Sequence, residues 1–261
     1  EQAQRAVRDL PPDCRVGIAP HSLRATAPSE LTEVLAAHPD VPVHIHLAEQ
    51  PKEVADVSAW LGARPVEWLL ANAEVAENWC LIHATHMTEG ETAAMARSGA
   101  VAGLCPVTEA NLGDGPFNGP GYLAAGGRFG IGSDSNVLIS LTEELRTLEY
   151  SQRLRDLARN VMVAGEGSVG AALYTGGARG GAQALGRGRG EIAVGEWADL
   201  VAIDSQDPAL CALRPDQLLD GLAFAAKDRV VTDLWSAGRH AVTGGRHRQR
   251  DRIVAGYRRT M

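Results

Sequence analysis

Three apolar runs end in residues that can bind a metal or move a proton. Residues 42–47 lead through His44 and His46 into Glu49 and Gln50, residues 79–82 end at His83, and residues 129–133 end at Asp134. Neutral imidazole and carboxylate oxygen are ligands for zinc or iron. A carboxylate beside a histidine is the usual equipment for general acid–base catalysis. On this reading His46 is a candidate metal ligand. Asp134 is a candidate ligand and proton acceptor, and Glu49 a candidate proton shuttle. His83 is a candidate donor to a developing charge. His44 shares a strand face with His46 by the period-2 rule, so the pair could ligate together or divide into ligand and support. Earlier in the chain, His21 and Arg24 follow another apolar run, and a guanidinium there suits bidentate binding of a substrate carboxylate.

Each of these residues also has a purely structural role open to it. Glu49 could complement the dipole of a helix beginning near Pro51. The stretch Ser133-Asp134-Ser135-Asn136 could be an ordinary polar turn. His86 lies past its strand and reads as a surface or capping residue. What favours chemistry is recurrence, with His plus Glu, then His, then Asp, at three successive strand ends.

The elements that must position these groups alternate regularly. Strand-like runs at 15–20, 43–47, 80–84, 100–105 and 129–131 are each followed by helical patterns, at 29–37, 52–61 and 65–72, 88–97, and 141–158. A Gly/Asn-rich loop at 109–121 and then a short helix follow the fourth run. Five βα units in series imply an α/β fold with a parallel sheet and right-handed crossovers. No glycine-rich phosphate loop follows the first strand, and the polar groups leave several different strand ends. A barrel segment therefore fits better than an open doubly wound sheet. Residues 186–190, Gly-Arg-Gly-Arg-Gly, read as a helix end and linker, and 165–170 as a hinge loop between helices. Beyond the linker, 191–204 and 230–242 read as strands with tight turns, and 250–258 as a terminal amphipathic helix. The expected organisation is a partial (β/α)8 barrel over 1–186, a β-sandwich portion over 187–249 and a C-terminal helix over 250–261.

Bulk properties narrow the function classes. The chain has 261 residues, a net charge of −7 and 45% hydrophobic residues. The acidic balance argues against a broad nucleic-acid surface, and no apolar run approaches membrane-spanning length. Four scattered cysteines without C-x-x-C spacing point to free thiols in a reducing cytoplasm. With Glu1 as first residue and no signal-peptide pattern, the chain is expected to be a piece of a longer polypeptide.

His46-Leu47-Ala48-Glu49, the strand-ending His83 and Ser133-Asp134-Ser135 resemble the amidohydrolase superfamily of metal-dependent barrel hydrolases. Within it, the words 19–24 (APHSLR), 44–50 (HIHLAEQ), 79–86 (WCLIHATH), 108–115 (TEANLGDG) and 130–135 (GIGSDS) are most similar to a branch acting on formimidoyl-substituted amino acids. That resemblance implies the C-terminal part of a (β/α)8 barrel, about strands four to eight, plus part of a small β-sandwich. It implies one zinc ion, with ferrous iron as an alternative, held by His46 from strand five and Asp134 from strand eight. Glu49 and His83 would handle protons, and His21 and Arg24 would hold a dicarboxylate substrate. The implied reaction is hydrolysis of N-formimidoyl-L-glutamate to N-formyl-L-glutamate and ammonia, by a cytoplasmic homodimer. The superfamily's first-strand His-x-His has no counterpart before residue 15, so the chain alone is expected to be inactive or a weak metal binder. Two other readings compete: an aminohydrolase of the guanine or cytosine type, and a non-catalytic scaffold fragment.

Overall fold

The computed structural model describes residues 2–135, 137–163 and 167–261. A short helix α1 (Gln2–Val7) and an irregular segment lead to α2 (Pro28–Ala37). Then follow β1 (Val43–Leu47), α3 (Pro51–Leu61), α4 (Pro65–Asn72), β2 (Trp79–His83), α5 (Glu89–Ser98) and β3 (Val101–Leu104). The array continues with α6 (Pro106–Leu112), α7 (Gly119–Ala124), β4 (Arg128–Ile131), α8 (Leu141–Asp156) and α9 (Val169–Ala184). The four strands pair in parallel in the order β1-β2-β3-β4. The expected α/β fold with a parallel sheet is therefore present.

The expected strand at 15–20 is reduced to two isolated parallel bridges, Ile18 to Val43 and Ser22 to His46. Pro20 lies between them and cannot donate to a ladder, which breaks continuous pairing. The loop expected from 109 is also shorter than read, because α6 runs through Leu112 before Gly113 ends it at φ 74°. Of the expected hinge at 165–170, residues 165 and 166 lie outside the described residues, while Val169 and Gly170 open α9.

The sheet has one dry face and one polar face. Val43, Ile45 and Leu47 are buried, and they join Leu81, Ala102 and Leu104 against the covering helices. His44 and His46 alternate to the opposite face, as period-2 geometry requires. Tyr122 is fully buried in the same core, and its hydroxyl donates to the Ala100 carbonyl at 2.8 Å. Buried aromatics of this kind keep a polar tip paired.

Helix α9 closes the amino end of the sheet. Gly180 lies against the Phe129 carbonyl so closely that a β-carbon would overlap it. Gln183 donates to the carbonyls of Glu77 and Gly99, both at 2.9 Å, and accepts from Arg128 at 2.7 Å. His44 donates from Nε2 to the Ala184 carbonyl at 2.8 Å. Of the two roles open to His44, this geometry shows support.

After the linker come β5 (Leu200–Ile203), α10 (Leu218–Phe224), β6 (Val231–Ser236), β7 (Arg239–Thr243), β8 (Arg246–His247) and α11 (Arg250–Thr260). The strands form one antiparallel layer, β5-β6-β7-β8. The expected strand over 191–204 survives only at its end. Ile192 and Val194 are 87% and 107% exposed, so their alternation has no partner face to bury. Asp13 ties the amino-terminal segment to this layer: Arg239 donates to its two oxygens at 2.8 and 2.6 Å, and Arg187 donates to its carbonyl at 2.6 Å. Among the described residues no helix is long and apolar enough to cross a membrane.

Candidate active site at the strand ends

The polar groups read from the sequence converge at the carboxyl ends of the parallel strands. The rings of His21, His46 and His83 form a row, with centroids 4.9 Å apart for the first pair and 5.6 Å for the second. His83 Nε2 lies 3.7 Å from Glu49 Oε1 and 4.0 Å from Asp134 Oδ2. Four of the predicted groups, His46, Glu49, His83 and Asp134, thus share one small volume. His46 and Asp134 also line one cavity of about 300 Å³ on the polar face of the sheet, with Cys80, Cys105 and Gly103. A groove of about 550 Å³ near the amino ends is larger. Its Arg128 and Gln183 are paired with each other, so size alone does not mark the site.

The local backbone aims these side chains through unusual turns. Ala48, His83, Ala84 and Asp134 all have positive φ, at 51°, 67°, 49° and 38°. Each costs roughly 1–2 kcal/mol for a residue with a β-carbon, and such strain concentrates at functional sites. At the end of β1 the turn is held by Glu53. Its carboxylate accepts the backbone N–H groups of Ala48 at 3.0 Å and Glu49 at 2.7 Å. Glu53 is the acid of the first turn of α3. The side chain of Glu49 is therefore free to face His83 rather than to cap the helix.

Charges in this volume shift one another. Burial raises the Glu49 pKa, and Asp114 adds to the rise, while His83 and His46 oppose it. Burial works against a charge on His83, yet its hydrogen bond to Glu109 and the carboxylates of Glu109, Glu49 and Asp134 lift its pKa above the ordinary histidine value. Glu144, on α8, is pushed up to about 7, chiefly by burial, with Glu109 and Asp134 adding to the rise.

His46 donates its Nδ1–H to the His21 carbonyl at 2.8 Å. That fixes the tautomer and leaves the Nε2 lone pair available to a cation, as in metal-ligating histidines oriented by a second partner. Arg24 is exposed, and no ion pair occupies it among the described residues. His86 is not a surface residue. It is half-buried and donates from Nε2 to the Asp114 carbonyl at 2.7 Å, fastening the 114 loop over the strand ends.

Several groups at the site carry no role in the sequence reading. Glu109 accepts from His83 Nδ1 at 3.2 Å. Asp114 accepts from Gln50 at 2.9 Å, and its second oxygen is buried with no partner among the described residues. Glu144 accepts the Val107 N–H at 2.8 Å, and its other oxygen is likewise unpartnered among the described residues. In sequence Glu53 and Glu144 are first-turn helix acids, a pattern that ordinarily means a solvated charge near a dipole, and Glu109 opens a run that reads as a loop. For Glu53 and Glu109 the one local signal is a helix that starts within four residues of a strand end, whereas α8, which carries Glu144, starts ten residues after β4.

A parallel α/β sheet with imidazoles and carboxylates gathered at its carboxyl ends places polar groups where parallel α/β enzymes carry their active sites. Residues 10–241 match the amidohydrolase family, and the chain belongs to that family. It is 54% identical over 244 residues to a formimidoylglutamate deiminase of Pseudomonas aeruginosa, covering 93% of this chain and 54% of that protein. The crystal structure of an amidohydrolase from Brucella melitensis superposes with a TM-score of 0.88 at 55% identity, over 93% of this chain and 54% of that one. An adenosine deaminase from Xanthomonas campestris, solved with bound zinc, gives 0.87 at 27% identity, over 99% and 59%. The chain spans about half the length of the curated relatives it matches.

Proposed function

We propose that this chain carries acid–base and substrate-binding residues for hydrolytic deamination of N-formimidoyl-L-glutamate to N-formyl-L-glutamate and ammonia. The observation that supports this most is the grouping of Glu49 and Asp134 about His83 Nε2, at 3.7 and 4.0 Å, in a chain 54% identical to a formimidoylglutamate deiminase. The parallel strands are read as successive strands of the second half of a (β/α)8 barrel, and the antiparallel layer as part of a β-sandwich.

A divalent cation, zinc by analogy with the Xanthomonas neighbour, fits the donor set in part. His46 offers a free Nε2 and Asp134 a carboxylate on the same cavity. The described residues contain no group of three or more His, Cys, Asp or Glu able to hold a metal. His46 and Asp134 would thus fill two positions of a four-coordinate shell. When bound, such an ion supplies Lewis-acid activation of water near neutral pH.

The chain's own groups divide the remaining work. Glu49, with its raised pKa, carries a proton to the amidine nitrogen. His83 steadies charge that develops at the reacting carbon, from a dry position where such interactions are strong. Asp134 accepts a proton at its carboxylate and returns it to the leaving amine. Arg24 pairs with a substrate carboxylate, and His21 orients the substrate beside it.

The test is release of ammonia and N-formylglutamate from N-formimidoyl-L-glutamate with zinc supplied. It is run on the chain alone and on the chain mixed with the part of the Pseudomonas relative that it does not match. Product in either arm is expected; none in both overturns the reading. A second reading, a deaminase acting on a flat base, is favoured by the likeness to the adenosine deaminase. Arg24→Met separates the two. It raises KM for a dicarboxylate substrate by about 10- to 100-fold, the worth of a lost charged hydrogen bond, and leaves turnover of a base nearly unchanged.

A further inference from the structure

The carboxylate nearest to His83 is not one of the groups assigned above. Glu109 Oε1 lies 3.2 Å from Nδ1, on the opposite edge of the ring from Glu49 and Asp134. Glu109 is 4% exposed and His83 is 1% exposed. The same Oε1 accepts the Cys105 N–H at 2.9 Å, and the Glu109 carbonyl accepts the Asp114 N–H at 2.9 Å. The acid is therefore pinned to the start of α6 before it meets the ring.

We propose that Glu109 is a positioning residue that sets the tautomer and ring plane of His83. A carboxylate can only accept, so Nδ1 must carry the hydrogen. The opposite tautomer would set a nitrogen lone pair against a buried carboxylate, a desolvated and repulsive contact. With Nδ1–H held, Nε2 is the edge presented to Glu49, Asp134 and the cavity. Nδ1–H is present in the neutral Nδ1 tautomer and in the cation alike, so the orientation does not depend on His83 changing charge. The backbone reinforces the arrangement, since His83 sits at φ 67° and its ring is delivered by a strained turn rather than by a freely rotating segment. The alternative is that Glu109 only satisfies the amide at the start of α6, with His83 indifferent to it.

The catalytic consequence rests on the proposed deiminase reading; the tautomer does not, and it can be read without substrate or metal. The experiment is a long-range ¹⁵N–¹H correlation spectrum of the imidazole nitrogens of the 261-residue chain, recorded above the histidine titration range. The His83 signals are identified by their loss in His83→Gln. The expected result is Nδ1–H in the parent and in Glu109→Gln, whose amide oxygen can still accept. Glu109→Met gives a mixed or Nε2–H ring with an unchanged circular dichroism spectrum. An Nε2–H ring in the parent, or an unchanged Nδ1–H ring in folded Glu109→Met, overturns the proposal. Should Glu109→Met fail to fold, the parent and Glu109→Gln spectra decide alone. Where turnover is measurable, Glu109→Met lowers kcat by about 10- to 100-fold, the usual effect of losing an orienting partner, with KM unchanged and partial recovery in Glu109→Gln. A rise in KM with kcat intact removes the positioning role. Absence of turnover both from the chain alone and from its mixture with the complementary part of the Pseudomonas relative defeats the deiminase reading and leaves the spectroscopic result standing.

Discussion

At the scale of single residues, the site is a set of side chains whose environments push them toward shared protons. Glu49→Gln keeps the shape of the side chain and removes its proton chemistry. Turnover should fall by about 10²- to 10⁴-fold, the usual span for a lost general acid or base, with thermal stability nearly unchanged. An activity within the parent's range would remove Glu49 from the mechanism. Glu144 gives a prediction in stability. Its folded pKa of about 7 lies above its ordinary value of 4.5. Folding therefore favours the protonated form. The resulting stabilisation is complete below pH 4.5 and is lost as pH rises through about 7. Glu144→Gln should flatten the fall in melting temperature over that window, by the equivalent of about 1–3 kcal/mol at its upper end. Parallel melting curves for parent and variant would refute this. The histidines, Glu49 and Asp134 were legible in the sequence because each interrupts an apolar run. Glu53 and Glu144 were not, because an acid in the first turn of a helix looks the same whether it faces water or turns back onto a strand end, and Glu109 was not, because it opens a run that reads as a loop.

At the scale of elements, the βα alternation was readable wherever an apolar run met a covering helix, as with Val43, Ile45 and Leu47. It misled where alternation existed without a partner, as at Ile192 and Val194. Helix α10 also went unread. Its few buried residues, Gly221, Leu222 and Ala223, are too short a run to show a helical period. The contact of α9 with β4 depends on which glycine faces the strand, and that gives a paired test. Gly180→Ala would press a methyl into the Phe129 carbonyl and should cost about 1–3 kcal/mol. At Gly181 a β-carbon meets nothing within 4 Å. Gly181→Ala should therefore be neutral or stabilising by up to about 1 kcal/mol through helix propensity. Denaturant melts of the two variants check the register; equal effects would mean that α9 is rotated from the position described.

At the scale of the whole molecule, one carboxylate joins three distant stretches of chain. Asp13 receives Arg187 from the linker and Arg239 from β7. The hydrogen bond from Arg239, aided by Arg187, holds the Asp13 pKa well below its ordinary value. A lowered carboxylate pKa stabilises the fold above the ordinary value of 3.8, and the stabilisation fades as pH falls below it. Asp13→Asn should thus lower the melting temperature at neutral pH and show a smaller further loss on acidification than the parent. A variant whose melting temperature matches the parent's at neutral pH would show that the linkage adds nothing to the fold. None of this was visible in sequence, because more than 170 residues separate Asp13 from both arginines.

The two ends of the parallel sheet do different jobs. Gln183, Ala184 and the glycines of α9 lock the amino ends, while the imidazoles and carboxylates sit on turns at the other. Replacements along the polar rim can therefore change its chemistry while the locked base keeps the chain folded. A lineage built this way can vary that rim in small steps, without passing through a collapsed ancestor.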